Sequence, residues 1–158
     1  MNIYLKGRSA LLASLIFMAG TSSAQRYAGS LSPLESMKKM NVADGFEVQL
    51  FASEPQVFDP VALEFDEKGN AYVVEMPDYP YEVEPGQGKG RIRILKDTDG
   101  DGTIDQSIIF AENVTEATSI LPWKGGLIVT AAPNILYLKD TDGDGKSDVS
   151  EILFSGFF

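Results

Sequence analysis

KDTDGDGTID (96–105) and KDTDGDGKSD (139–148) are almost the same ten residues, met twice in one chain. Eight of the ten positions agree, and the copies start 43 residues apart. The agreement spreads outward. RIRIL (91–95) and NILYL (134–138) precede the two loops, and SIIF (107–110) and EILF (151–154) follow them. Further upstream, VALEFDEKGNAYVVEMP (61–77) aligns with TSILPWKGGLIVTAAP (118–133) across a one-residue gap. The repeated unit reads strand, Gly turn, strand, short link, strand, aspartate loop, strand. A four-stranded unit recurring every 40–50 residues or so is the sequence signature of a β-propeller blade.

The remaining segments fit that reading. FEVQLF (46–51) alternates, with Phe46, Val48 and Leu50 on one face, and predicts a further strand. AYVVEM (71–76) and LIVTA (127–131) are short and β-branched. Before them, SPLESMKKM (32–40) predicts one short helix: Ser32 caps, Pro33 suits the first turn, and Glu35 completes a capping box. Its stripe of Leu34, Met37 and Met40 is expected to touch the core. The chain is thus expected to be all-β after this helix, a partial propeller of about two four-stranded blades. Closure takes typically about four to eight blades, so the sequence is expected to be the N-terminal part of a longer protein.

Residues 1–24 carry Lys6 and Arg8, the run ALLASLIFMAG (10–20), and small residues at Ser22 and Ala24. This is the pattern of a secretory signal peptide. Eleven residues of helix rise only about 16 Å, too little for a hydrocarbon core of about 30 Å. Residues 25–45 then form a lead containing the helix, and 46–158 the two blades. The protein is expected outside the cytoplasm, in the periplasm or beyond the cell. No transmembrane segment is expected once the signal is removed.

Composition narrows the chemistry. The net charge is −10, which argues against nucleic acid as a partner. Nine of the 23 acidic residues sit in Asp97–Asp105 and Asp140–Glu151, so the charge is local to two sites. There is no Cys, hence no disulfide, and no His, hence no imidazole base or imidazole metal ligand.

Alternate carboxylates on a tight turn can converge on one hard cation. Calcium takes roughly six to eight oxygens, and the pattern D-x-[DN]-x-[DN]-G-x5-E supplies them. The second loop fits it in full through Asp140, Asp142, Asp144, the carbonyl of Lys146, Asp148 and Glu151. The first offers Asp97, Asp99, Asp101, the carbonyl of Thr103 and Asp105, but has Ile108 in the closing position. Strands flank both loops, where an EF-hand would have helices. The alternative is an ordinary turn, since Asp and Gly favour turns without any metal.

The stretches GFEVQLFASEPQVFDPVALEFDEKGNAYVVEMPDYP (45–80), GRIRILKDTDGDG (90–102) and LPWKGGLIVTAAPNILYLKDTDGDGKSD (121–148) resemble the opening of the PVC-type membrane-bound dehydrogenases. They are similar, more distantly, to the soluble quinoprotein glucose and sorbosone dehydrogenases. The resemblance covers about 32–158. It implies a six-bladed propeller, export, and sugar oxidation with pyrroloquinoline quinone (PQQ). In longer relatives it implies appended helical-repeat and c-type haem domains, which this chain does not contain. The quinoprotein catalytic base is a His, absent here, and most quinone-contacting cations come from later blades.

One stretch remains as a candidate substrate site. EMPDYPYEVEPGQGKGR (75–91) holds the long insertion of the first repeat. Glu75, Asp78, Tyr79 and Tyr81 are expected at one rim, where aromatic rings and carboxylates suit a carbohydrate or sugar alcohol. The alternative is a decorated loop packing its tyrosines on a neighbour. Two functions are therefore carried forward. One is the first part of an exported, quinone-dependent sugar or alcohol oxidoreductase, inactive without its downstream blades. The other is a non-catalytic, calcium-stabilised propeller scaffold that binds a ligand.

Overall fold

The computed structural model describes residues 29–81, 83 and 87–156. The expected signal peptide over 1–24 lies outside the described residues. Eight strands follow one short helix: β1 Pro60–Phe65, β2 Ala71–Glu75, β3 Arg91–Lys96, β4 Gln106–Glu112, β5 Ala117–Trp123, β6 Gly126–Ala131, β7 Asn134–Lys139 and β8 Val149–Ser155. They form two four-stranded antiparallel sheets, in the orders β1-β2-β3-β4 and β5-β6-β7-β8. Each sheet is one copy of the repeat. The fold is all-β, as expected.

The helix α1 spans Pro33–Met37 and starts as its sequence dictates. The Ser32 hydroxyl accepts from Glu35 N, and the Glu35 carboxylate accepts from Ser32 N at 3.1 Å. The expected core stripe does not form. The helix buries no residue, and Leu34 and Met40 are exposed. The helix ends at Met37, so Met40 lies beyond it and does not extend the face of Leu34 and Met37.

The expected strand over Phe46–Phe51 is also absent. Alternation prepares one face of a strand, but a strand needs a hydrogen-bonded neighbour, and none is paired with this segment among the described residues. Conversely, β5 is poorly marked by its own pattern, because Pro122 and Trp123 interrupt it. Only its alignment with β1 exposes it.

The two sheets stack face to face. Val74, Ile92, Ile94 and Phe110 of the first pack with Ile120, Leu127, Val129 and Leu138 of the second in one cluster. Contact is concentrated at β5, which meets β1 and β2. The other face of the first sheet carries Ala71, Val73 and Leu95. Phe51, Ala52 and Val57 cover it.

Repeat alignment turns this into a rule. Val73 corresponds to Val129 and Leu95 to Leu138, so the face of sheet two that meets sheet one matches the face that the 51–57 segment covers. Tyr72 and Ile94 correspond to Ile128 and Tyr137, which lie on the far side of sheet two. Leu121 and Phe154 on that far side are exposed. The stacking is head to tail.

Candidate metal loops and an inter-sheet groove

Both aspartate loops fold the same way, through the same hydrogen bonds. Asp97 accepts from Gly100 N and Gly102 N at 2.7 and 2.9 Å, and Asp140 from Gly143 N and Gly145 N at 2.6 and 2.8 Å. Asp101 accepts from Thr103 N, and Asp144 from Lys146 N, each at 2.7 Å. Asp105 accepts from the Thr98 hydroxyl at 2.5 Å, and Asp148 from the Thr141 hydroxyl at 2.6 Å. Gly102 and Gly145 hold φ of +87° and +88°, which side-chain-bearing residues rarely adopt. The sharp bend turns the backbone N–H groups inward, and these select for anionic side chains.

Carboxylate oxygens of Asp97, Asp99 and Asp105 lie within 4.8 Å of one another, as do those of Asp140, Asp142 and Asp144. Asp101 and Asp148, though in the same turns, are not in these groups. Glu151 is not either. On β8 it stands opposite Tyr137, so a strand aims it along the sheet normal, where an EF-hand helix would aim it at the ion. Among the described residues, each loop thus brings three carboxylates of the pattern together. Ile108 instead abuts Gly145 of the second loop.

The acidity of these groups follows from the bonds. Backbone N–H groups of Gly102 and Gly100 hold Asp97 below the usual carboxylate range, and those of Gly143 and Gly145 do so for Asp140. The Thr98 hydroxyl and N–H lower Asp105. All three are anions at neutral pH. A polar cavity of about 270 Å³ joins the second loop to the first sheet, lined by Asp66, Lys68, Tyr72, Lys96 and Asp140. Burial first, then the charges of Asp66, Asp140 and Glu67, push the Tyr72 hydroxyl up to about 12.

The four candidate substrate residues part company. Glu75 is fully buried. It accepts from Phe58 N at 2.7 Å, from Arg93 Nε at 2.8 Å, and from Arg91 Nε. Arg93 goes on to Ser107, whose hydroxyl donates to Gln56 O at 2.6 Å. This network fastens residues 56–58 to the first sheet and commits the buried Glu75 carboxylate to internal partners. Asp78 closes the base of the insertion by accepting from Lys89 N.

Tyr79 and Tyr81 are different, 75% and 79% exposed. With Met76, Thr115, Thr118 and Ile135 they line a groove of about 670 Å³ between the sheets. Sequence reasoning missed Thr115, Thr118, Thr130 and Asn134, which belong to the second repeat and its connection. The one available signal was the 13-residue insertion with no counterpart in that repeat. Residues of the insertion and of the second sheet line the same groove.

Residues 32–158 match the family described as a domain of unknown function (DUF7133). The chain belongs to the DUF7133 family. The match spans the helix and both sheets, so the repeat and its two loops are parts of one DUF7133 domain. No curated protein and no solved structure matches the chain. Among the described residues, no helix is long and apolar enough to cross a membrane.

Proposed function

We propose that this DUF7133 domain is built from β-propeller blades, each clamped by a structural calcium ion, and that it serves as a ligand-binding scaffold. The carrying observation is the duplicated loop, with matching hydrogen bonds and three converging carboxylates in each copy. Asp97 and Asp140 already spend one lone pair per oxygen on backbone N–H groups, but a carboxylate has about four such sites. Calcium would take the remaining ones, together with the Thr103 and Lys146 carbonyls, and would relieve repulsion among the aspartates. The chain has no disulfide, so an ion that binds only the folded hairpin is its available staple.

Head-to-tail stacking supports the blade reading, because each sheet presents the face that its neighbour accepts. The resemblance to PVC-type dehydrogenases agrees with blades, export and a sugar-type ligand. The groove suits an uncharged, polyhydroxylated ligand: tyrosine rings to stack on it, threonine and asparagine side chains to bond it. It does not suit PQQ. That cofactor carries carboxylates, the groove lining has no Lys or Arg among the described residues, and Arg91 and Arg93 are committed to Glu75. No redox step is assigned to these residues.

A melting experiment tests the clamp. At calcium 100 times Kd, each site stabilises by about 2.7 kcal/mol, or roughly 5–10 °C in a domain of this size. A melting temperature indifferent to calcium and to chelator would remove the proposal.

A further inference from the structure

The segment that failed to form a strand, Phe46–Ala52, makes the contacts of one. In the second sheet the aspartate loop is anchored on β4: Ser147 N donates to Phe110 O at 2.7 Å, and Gly145 abuts Ile108. In the first sheet the same loop is anchored on the lead: Ile104 N donates to Phe51 O at 3.1 Å, and Gly102 abuts Gln49. Ser147 and Gly145 follow Ile104 and Gly102 by 43 residues, the repeat spacing. Phe110 and Ile108 follow Phe51 and Gln49 by one common offset, 59. The sequences agree at that offset, LFA (50–52) with IFA (109–111).

The apolar contacts repeat as well. Leu127, Val129 and Leu138 share a cluster with Phe110 and Ala111. Their counterparts Ala71, Val73 and Leu95 share one with Phe51 and Ala52. The lead thus stands to sheet one as β4 stands to sheet two. One difference remains. β4 is also paired along its edge, Ile108 opposite Ile94 and Ala111 opposite Ile92. Gln49 and Ala52 have no strand opposite them among the described residues.

We propose that Glu47–Ala52 is the outermost strand of a further four-stranded sheet, and so a docking edge for a three-stranded antiparallel unit. The inference rests on the blade reading above. The partner is a polypeptide carrying the first three strands of this repeat without its fourth. Its third strand, apolar at alternate positions like Ile92 and Ile94, adds to the free edge through main-chain hydrogen bonds. A second copy of this chain is the wrong partner, because β4 and β8 already fill the fourth position in its own sheets. The far face of sheet two, uncovered at Leu121 and Phe154 among the described residues, is the complementary end, made of the counterparts of residues that sheet one buries.

The test inserts a second copy of residues 117–148 between Phe46 and Glu47, so that a β5–β7 unit leads into the segment as it leads into β8. Amide exchange at Val48–Ala52 then slows about 100-fold against the parent chain. Protection of the inserted strands with Val48–Ala52 still exchanging freely overturns the docking edge and leaves the two-sheet repeat standing. Separate melting of the two natural sheets in the parent overturns the blade reading itself. A parent that dimerises with Val48–Ala52 protected places a second copy there, and also overturns the proposal. Should the insertion misfold, the parent chain decides. Glu47→Gln, Val48→Ser, Gln49→Ile and Leu50→Ile together make 47–52 identical to 106–111. If the roles are equivalent, its melting temperature holds within about 3 °C, whereas a fall beyond about 5 °C denies the equivalence.

Discussion

Asp97 and Asp140 hold the first position of their loops, and each closes its turn through two backbone N–H groups. Replacing either by Asn keeps an acceptor for the turn but removes the charge an ion needs. Asp140→Asn is therefore expected to leave the apo chain folded and to lose one calcium equivalent, measured by calorimetry. Tyr72, beside Asp140, gives an optical handle. Its pKa is raised, so its neutral form is favoured by folding. That stabilisation is complete below about 10, the ordinary tyrosine value, and is lost as pH rises through about 12. Calcium in the second loop would offset the Asp140 charge and is expected to lower the Tyr72 value. Absorbance titration of tyrosinate, with Tyr72→Phe as the blank, checks the sign. At residue scale the two Asp/Gly turns were legible, because Asp and Gly at that spacing favour such a bend. The pairing of Glu151 with Tyr137 was not, because it depends on the register of β7 and β8.

Among the elements, the fate of Glu75 shows what alternation hides. A glutamate ending a strand looks like a rim residue. Two arginines on β3 and the Phe58 N–H make it an internal anchor instead, and none of those partners is adjacent in sequence. Glu75→Ala leaves Arg91 and Arg93 without their counter-charge and costs about 3 kcal/mol or more in denaturant unfolding. The groove tyrosines behave oppositely. Tyr79→Ala with Tyr81→Ala is expected to change stability by no more than about 0.5 kcal/mol per site, since both rings are largely in solvent. Sugar-alcohol binding, read by shifts in the amide spectrum, is expected to weaken at least 10-fold. The α1 cap and seven of the strands could be read from local signals. Phe46–Phe51 could not, because a strand is a property of a pair, and β5 emerged only through its repeat partner.

For the whole molecule, the repeat determined that there would be two sheets, but not which faces would meet. That choice rests on Leu127, Val129 and Leu138 meeting Val74, Ile92 and Phe110. Because this core is shared, Leu127→Ala should cost about 2–5 kcal/mol and lower the unfolding of both sheets together. Two transitions, with the first sheet unaffected, would mean independent hairpin stacks. The groove was legible only as an unmatched insertion, since much of its lining comes from the second sheet and the connection to it. The central claim concerns the duplicated loop, and calcium titration of the intact chain by calorimetry tests it most directly. Two equivalents are predicted for the wild type, one for Asp97→Asn or Asp140→Asn alone, and none for the double variant. Heat of dilution alone in the wild type, or an unchanged stoichiometry in the double variant, would contradict it.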